Sequence, residues 1–270
     1  MAMTDEVFAG GIPEIYDQYL VPMVFEPYAR DIAERIARFQ PHSVLEVAAG
    51  TGALTRALAK VLPPDVAITA SDLNPPMLEM AKSRQGADSR TSWLQADGLA
   101  LPFDDGSFDV VACQFGVMFF PEKNKGFREA LRVLKPGGHY VFAVWDKVAN
   151  NDFINVVSEA LDHEFPADPP RFMQRTPHGY HDPDVIEGDV RAAGFSAATV
   201  ETVDHKSAAH SALEAATGYC QGNPLRGEIE ERAPGRLQDI TLHVARALRK
   251  AFGEGPIDGR LRALVVTATR

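Results

Sequence analysis

Short apolar, β-branched runs recur along the chain at Ser43 to Val47, Ala67 to Ser71, Thr91 to Gln95, Phe108 to Phe115 and His139 to Trp145, and helix-patterned segments separate several of them. Near-continuous apolar runs of this length suit strands buried on both faces, and their alternation with helices predicts βαβ units around a parallel sheet. The first helix after a strand is expected from about Ala53 to Leu62, with Leu54, Ala57, Leu58 and Val61 on one stripe and Pro63-Pro64 ending it. A second is expected at Pro75, with Asn74 as its cap and Met77, Leu78 and Ala81 as its apolar face. A third carries Phe127, Ala130, Leu131 and Leu134 and stops at Lys135-Pro136-Gly137-Gly138, which reads as a chain reversal feeding the next strand.

Outside this core the pattern is looser. Ile12 to Phe39 reads as one or two amphipathic helices rich in aromatics, including Tyr16, Tyr19, Phe25 and Tyr28. Asn151 to Leu161 looks helical, Pro166 to Pro183 reads as a loop, Asp184 to Ala193 is a short helix and Ala198 to Val203 a strand. His210 to Phe252 is mainly helical with breaks near Asn223-Pro224 and Pro234-Gly235, and Leu264 to Thr267 is a last strand. No repeat and no clean boundary is visible, which predicts a single domain over 1–270. Its core would lie at about 40–205 and 260–270, with an amino-terminal helical cover at about 10–39 and a helical insertion at about 207–258.

Composition narrows the partners. The 270 residues are 45% hydrophobic and 24% charged, with a formal net charge of −10, so no overall basic field draws the chain to phosphate backbones or anionic lipid. Nucleic acid is therefore not an expected partner. The two cysteines, Cys113 and Cys220, argue against a disulfide framework or a cysteine metal site. The first residues show no basic region followed by an apolar stretch, and no run approaches the roughly 20 apolar residues that span a bilayer, so a reduced, cytoplasmic protein without membrane insertion is expected.

The densest chemistry lies at Val44-Leu45-Glu46-Val47-Ala48-Ala49-Gly50-Thr51-Gly52, a strand entering a glycine turn and then a helix. Glycines let backbone amides approach a ligand, and a helix amino terminus favours a negative group. Asp72 ends the next strand, where its carboxylate can accept from both hydroxyls of a ribose or can cap the helix that follows. A dinucleotide fingerprint wants a third glycine or alanine where Thr55 stands, and Glu46 beside the turn repels a pyrophosphate but suits a ligand bearing an ammonium and a sulfonium. Asp97 follows the third strand and can accept from an exocyclic adenine amine, with Met77 and Leu99 placed to sandwich the ring; Met77 is equally readable as helix core. Gln114 and Phe115 end the fourth strand and would face the crevice of a doubly wound sheet.

On these residues the sequence resembles class I S-adenosylmethionine-dependent methyltransferases, of the broad group that includes ubiquinone and menaquinone C-methyltransferases. The elements that carry the resemblance are Glu46-x-Ala48-x-Gly50-x-Gly52, Asp72, Asp97-Gly98 with Leu101-Pro102-Phe103, Phe108-Asp109-Val110-Val111 and Leu131-x-x-Leu134-Lys135-Pro136-Gly137-Gly138. Ala192-Ala193-Gly194-Phe195 before a strand adds support. The resemblance covers Val44 to Trp145 and implies an α/β, Rossmann-like sheet of seven mostly parallel strands, the last antiparallel, with helices on both faces. It also implies S-adenosylmethionine as methyl donor, leaving S-adenosylhomocysteine as product. Carried over residue by residue, Glu46, Ala48, Gly50 and Gly52 would line the methionine part, Asp72 the ribose, and Asp97 and Gly98 the adenine, with Ala49, Leu73 and Leu99 among the cofactor-binding residues. Met77 would lie beside the adenine and Gln114 near the methionine backbone, with Phe115 also among the cofactor-binding residues. The family usually has glycine where Ala48 stands, so a methyl group narrows the turn.

A sulfonium is already an activated methyl donor, so the chain must chiefly align an acceptor in line with the methyl group and exclude water, without a metal or a covalent nucleophile. Tyr16 or Tyr19 could pack near the sulfonium through a ring face, or simply against the sheet. Phe115, Met118, Phe119 and Phe120 offer an apolar wall. His178 and His181 flank Gly179-Tyr180 in a loop that reads as solvated rather than as a general base, and Asp146 is another possible base. No catalytic residue is assigned. The expected activity is methyl transfer to a small, apolar molecule enclosed by the helical stretches. A nicotinamide-dependent oxidoreductase and a non-catalytic S-adenosylmethionine-binding protein are the alternatives.

Overall fold

The computed structural model describes residues 8, 10–86 and 88–270. The strands are β1 (Ser43–Val47), β2 (Ala67–Asp72), β3 (Thr91–Gln95), β4 (Phe108–Gln114), β5 (Leu134–Trp145), β6 (Ala197–Ala209) and β7 (Ile257–Thr269). The helices are α1 (Ile12–Ile15), α2 (Glu26–Ala37), α3 (Ala53–Val61), α4 (Pro75–Gln85), α5 (Lys123–Val133), α6 (Asp152–Glu164), α7 (Phe172–Arg175), α8 (Pro183–Ala193), α9 (Ala212–Gln221), α10 (Leu225–Arg232) and α11 (Leu237–Phe252). All seven strands join one sheet in the order β3-β2-β1-β4-β5-β7-β6. β1 pairs in parallel with β2 and β4, β2 with β3 and β4 with β5, whereas β7 runs antiparallel to β5. The expected α/β fold, with its last strand reversed, is therefore present.

Two compact units divide the chain. One comprises 28–145, 180–203 and 263–270 and the other 1–27, 146–179 and 204–262. In the first, the strand order turns back between β1 and β4, and the connections leave the carboxyl ends of these strands side by side, the usual place for a ligand crevice in an open α/β sheet. Val44, Leu45, Val110, Val111 and Val141 are fully buried at its centre. α3 buries Leu54, Ala57 and Leu58 as expected, but Val61 at its last turn is 41% exposed. α4 starts at Pro75 and buries Met77, Leu78 and Ala81. Its cap differs from expectation: the Asn74 side chain makes no capping bond, and Oδ1 of Asp72 accepts from the Asn74 amide at 2.8 Å instead.

Pro136-Gly137-Gly138 also departs from the expected reversal. The chain stays in β5, and the ladder jumps from Phe108 opposite Leu134 to Val110 opposite His139, so the three residues form a local bulge with Gly137 at φ 77°. Gly194 ends α8 at φ 109°, and Phe195 after it is buried against Tyr140, ring centroids 5.9 Å apart.

In the second unit, Tyr16–Phe25 winds as a wide π-type helix, where an ordinary amphipathic helix was expected. Pro22 has no amide hydrogen to give the usual bond, and the Glu26 amide reaches back five residues to the Val21 carbonyl. α9 packs on this segment, and a methyl group on Gly218 would lie 3.1 Å from Leu20, so glycine sets the close approach. The breaks between α9, α10 and α11 fall at the expected Asn223-Pro224 and Pro234-Gly235, and Oδ1 of Asn223 accepts from the Leu225 amide at 2.9 Å. β6 and β7 are longer than their apolar runs and contribute residues to both units.

Candidate S-adenosylmethionine site

β1 ends at Val47 and the chain turns through three left-handed residues in alternation, Ala48 at φ 55°, Gly50 at φ 57° and Gly52 at φ 81°, before α3 begins. Glycine adopts this conformation freely, which accounts for two of the three. Ala48 is a side-chain-bearing exception. Its methyl group is admitted because residue 116 is glycine: a Cβ on Gly116 would lie 2.5 Å from Cβ of Ala48 and 2.7 Å from Sγ of Cys113.

Asp72 locks the turn to the neighbouring strand. It is 6% exposed, and its Oδ2 accepts from the Gly50 amide at 2.8 Å while the amide of Ala49 donates to the Ser71 carbonyl at 2.9 Å. Burial pushes the Asp72 carboxyl up, opposed by the amides of Asn74 and Gly50. Each carboxylate oxygen can accept a further bond, so the cap on α4 and a ribose contact are compatible.

Glu46 is 1% exposed at the carboxyl end of β1, and its Oε2 accepts from Oγ1 of Thr55 at 2.5 Å. Thr55, standing where a dinucleotide fingerprint has its third glycine, is therefore the partner of the acidic residue. Burial pushes the Glu46 carboxyl up to about 8, helped by the nearby charge of Asp72 and opposed by the Thr55 bond and by Arg56. Two adjacent buried carboxyls make the turn receptive to a cation, as the ammonium and sulfonium of S-adenosylmethionine require and a pyrophosphate does not. Arg56 donates to the Thr51 carbonyl at 2.6 Å, which holds the turn from its far side.

The next strand end supplies Asp97, which is exposed, with Oδ1 accepting from the Leu99 amide at 2.8 Å in a tight turn closed by the Ala100 amide on the Asp97 carbonyl at 3.0 Å. Gly98 and Leu99 are half-buried in this turn, Leu73 is 45% exposed after β2, and Met77 is buried in α4 at 3%. At the end of β4, Gln114 is 9% exposed and Phe115 is buried at φ 57°. The Phe115 ring stacks on Trp145 with centroids 3.5 Å apart, and Tyr28 meets it edge-on at 5.3 Å. Ladder pairing sets these ends in line: Val47 opposes Ser71, Asp72 opposes Gln95, and Glu46 opposes Ala112. β1 to β4 thus bring Glu46, Ala48, Ala49, Gly50, Gly52, Asp72, Leu73, Asp97, Gly98, Leu99, Gln114 and Phe115 to one edge of the sheet. Asp109, part of the same motif set, lies at the opposite end of β1, where it accepts from the amides of His42 and Ser43 at 3.0 and 2.9 Å and from Lys135 at 2.8 Å.

Tyr16 and Tyr19 belong to the other unit; Tyr16 is half-buried, its ring 4.8 Å from that of Phe25. His178 is 5% exposed and not solvated as its loop suggested, because its Nδ1 lies 2.6 Å from the Asp146 carbonyl oxygen. The Asp146 carboxylate accepts from the Lys147 amide at 2.7 Å and the Asn150 side chain at 2.5 Å. Thr55, Arg56 and Gly116 were missed as site residues, although a threonine at a glycine position was a readable signal for the first.

An open sheet in this order, with acidic residues at or just past the carboxyl ends of three adjacent strands and a left-handed turn after the first, defines the class I S-adenosylmethionine-dependent methyltransferases. The sequence pattern of the ubiE/COQ5 methyltransferase family matches residues 12–164. The chain is 31% identical over 180 residues to the demethylmenaquinone methyltransferase of Clavibacter sepedonicus, covering 61% of this chain and 67% of that one. It is also 31% identical over 202 residues to that of Deinococcus radiodurans, covering 70% and 83%. The solved YcgJ protein from Bacillus subtilis shares the fold at TM-score 0.56 and 17% identity, over 89% of this chain and 98% of that one. The chain belongs to the ubiE/COQ5 methyltransferase family. It is an enzyme that takes its methyl group from S-adenosylmethionine and passes it to a small molecule. Among the described residues no helix is long and apolar enough to cross a membrane.

Proposed function

We propose that the edge formed by β1, β2, β3 and β4 is the methyl-donor site and that the acceptor is a reduced quinone-type ring with an unsubstituted carbon. The observation that carries this reading is the buried pair Glu46 and Asp72 around the left-handed turn, a setting that stabilises positive charge. When bound, S-adenosylmethionine supplies an activated methyl group on a cationic sulfur. The chain's part is to hold and orient. Glu46 accepts from the amino group of the methionine end, Asp72 from the ribose hydroxyls, and Asp97 from the adenine amine. Ala48, Ala49, Gly50 and Gly52 shape the turn, with Leu73, Met77, Gly98, Leu99, Gln114 and Phe115 completing the lining.

The acceptor class follows the names of the Clavibacter and Deinococcus relatives, and the apolar, aromatic surroundings of Phe115 favour a flat ring. The net charge of −10 supports a small molecule over nucleic acid, and two free, buried cysteines suit the cytoplasm. The test is transfer of a labelled methyl group from S-adenosylmethionine to a panel comprising a reduced naphthoquinone, a reduced benzoquinone, a phenol, an amine and duplex RNA. Carbon methylation of a quinol is the expected result. Preferred transfer to nitrogen or to RNA overturns the acceptor assignment while leaving the donor site intact.

A further inference from the structure

The ring of Phe120 lies between two glycines. A methyl group placed on Gly126 of α5 would sit 2.5 Å from its Cδ2 and 2.8 Å from its Cε2, and one placed on Gly98 would sit 2.9 Å from its Cζ and 3.1 Å from its Cε1. The shorter distance at each glycine is below what real side-chain carbons tolerate, so the ring packs directly against each backbone. Val47 at the end of β1 completes the seat, 3.0 Å from the same point on Gly98, and Leu99 lies 3.2 Å from the point on Gly126. The backbone of Phe120 is fixed as well: its amide donates to the Val117 carbonyl at 3.0 Å, and Nζ of Lys123 donates to its carbonyl at 3.1 Å. Further along α5, Glu129 accepts from the Leu101 amide at 2.7 Å, and Arg132 donates to the carbonyls of Leu101 at 2.9 Å and Phe103 at 2.7 Å. The turn Asp97-Gly98-Leu99 is thus held at its centre by one ring and just beyond its end by one ion-paired couple, both referred to α5.

We infer that Phe120 is a positioning residue for the donor site, setting the height of the Asp97-Gly98-Leu99 turn and with it the ability of Asp97 to select an adenine over other purines. The inference rests on the reading of this turn as the adenine side of the site. Close packing leaves the turn no other place while the ring is present, and truncating the ring removes what fills the space beneath Gly98. Gly126 is required for the same reason from the opposite side.

The test compares binding of S-adenosylhomocysteine and S-inosylhomocysteine, which carries an oxygen in place of the exocyclic amine, by calorimetry on the full chain. Wild type is expected to prefer the adenine form by tenfold or more. Phe120→Ala lowers that preference at least threefold, Phe120→Leu retains most of it, and Gly126→Ala lowers it by pushing the ring onto Gly98. In Phe120→Ala/Gly126→Ala the second change has no further effect, because the ring it would strike is gone. A purely structural ring would lower the melting temperature and weaken both ligands equally, with the ratio unchanged. An unchanged ratio in Phe120→Ala, or a wild type that does not distinguish the two ligands, overturns the inference. If wild type binds neither ligand, the donor-site reading itself has failed.

Discussion

Gly116→Ala should destabilise the protein, and Ala48→Gly should restore much of the loss. Gly116 has φ −100° and ψ −34°, a conformation any residue adopts, so the cost of the new methyl group is steric alone. That methyl would stand 2.5 Å from Cβ of Ala48 and 2.7 Å from Sγ of Cys113, both buried or half-buried in a packed strand end. Overpacking of this kind costs about 1–3 kcal/mol. Ala48→Gly alone relieves a left-handed alanine at φ 55°, worth about 1–2 kcal/mol, against about 0.4–1 kcal/mol for the freer unfolded chain of glycine. The net lies between about 0 and 1.6 kcal/mol of gain, seen as a melting-temperature rise of up to roughly 6 °C. In the double variant the nearer of the two clashes is gone and the Cys113 contact remains, so the changes should couple by about 1 kcal/mol or more. Urea melts of the four proteins measure this coupling directly. Effects that add to within about 0.5 kcal/mol would refute the claim that Gly116 makes room for Ala48.

Thr55→Val removes the hydroxyl that donates to the buried Glu46 and should cost about 1–3 kcal/mol in the same melts, whereas Thr55→Ser should cost less; equal losses would show that only the methyl group matters. Because burial raises the Glu46 carboxyl from 4.5 to about 8, the folded ligand-free protein holds a proton there that the unfolded chain has released. Its stabilising effect is complete below pH 4.5 and is lost as pH rises towards 8, so the stability of wild type relative to Glu46→Gln should fall across that window, and a flat difference contradicts it. Asp72→Ala should weaken S-adenosylhomocysteine binding by more than tenfold, since a bond to a charged group is worth about 1.5–3 kcal/mol and two are lost. Asp97→Ala, losing one bond from an exposed carboxylate, should weaken it less in the same titration; the reverse order would move the ribose contact away from Asp72.

The parts of the fold legible in sequence are those where one physical cause leaves one pattern. β1 begins and ends where its apolar run does, because a strand in the middle of a parallel ladder is bounded sharply by polar turns. The turn at Gly50 and Gly52 was legible because left-handed backbone selects glycine. Where one pattern serves two causes, the sequence was ambiguous. Pro136-Gly137-Gly138 suits a reversal and a bulge alike, and only the pairing of β5 with β4 decides for the bulge. The polar stretch Asp204-His205-Lys206 hid the length of β6, whose alternation of exposed and less exposed residues changes phase at Glu201-Thr202 before running on through it. Relations between distant residues were not legible at all. Glu46 with Thr55, Ala48 with Gly116 and Phe120 with two glycines are each pairings of ordinary residues whose meaning lies in a distance. His178 in a proline-rich loop gave no sign that it is buried beneath Asp146.

Calorimetric titration of the full chain with S-adenosylhomocysteine, repeated with a nicotinamide dinucleotide and with Asp72→Ala, tests the central claim most directly. The account predicts binding of one S-adenosylhomocysteine per chain in the micromolar range, about −8 kcal/mol. It also predicts at least a tenfold loss of affinity in Asp72→Ala and no heat with the dinucleotide. Dinucleotide binding in place of S-adenosylhomocysteine, or an affinity indifferent to Asp72→Ala, would contradict the assignment of this sheet edge as the methyl-donor site.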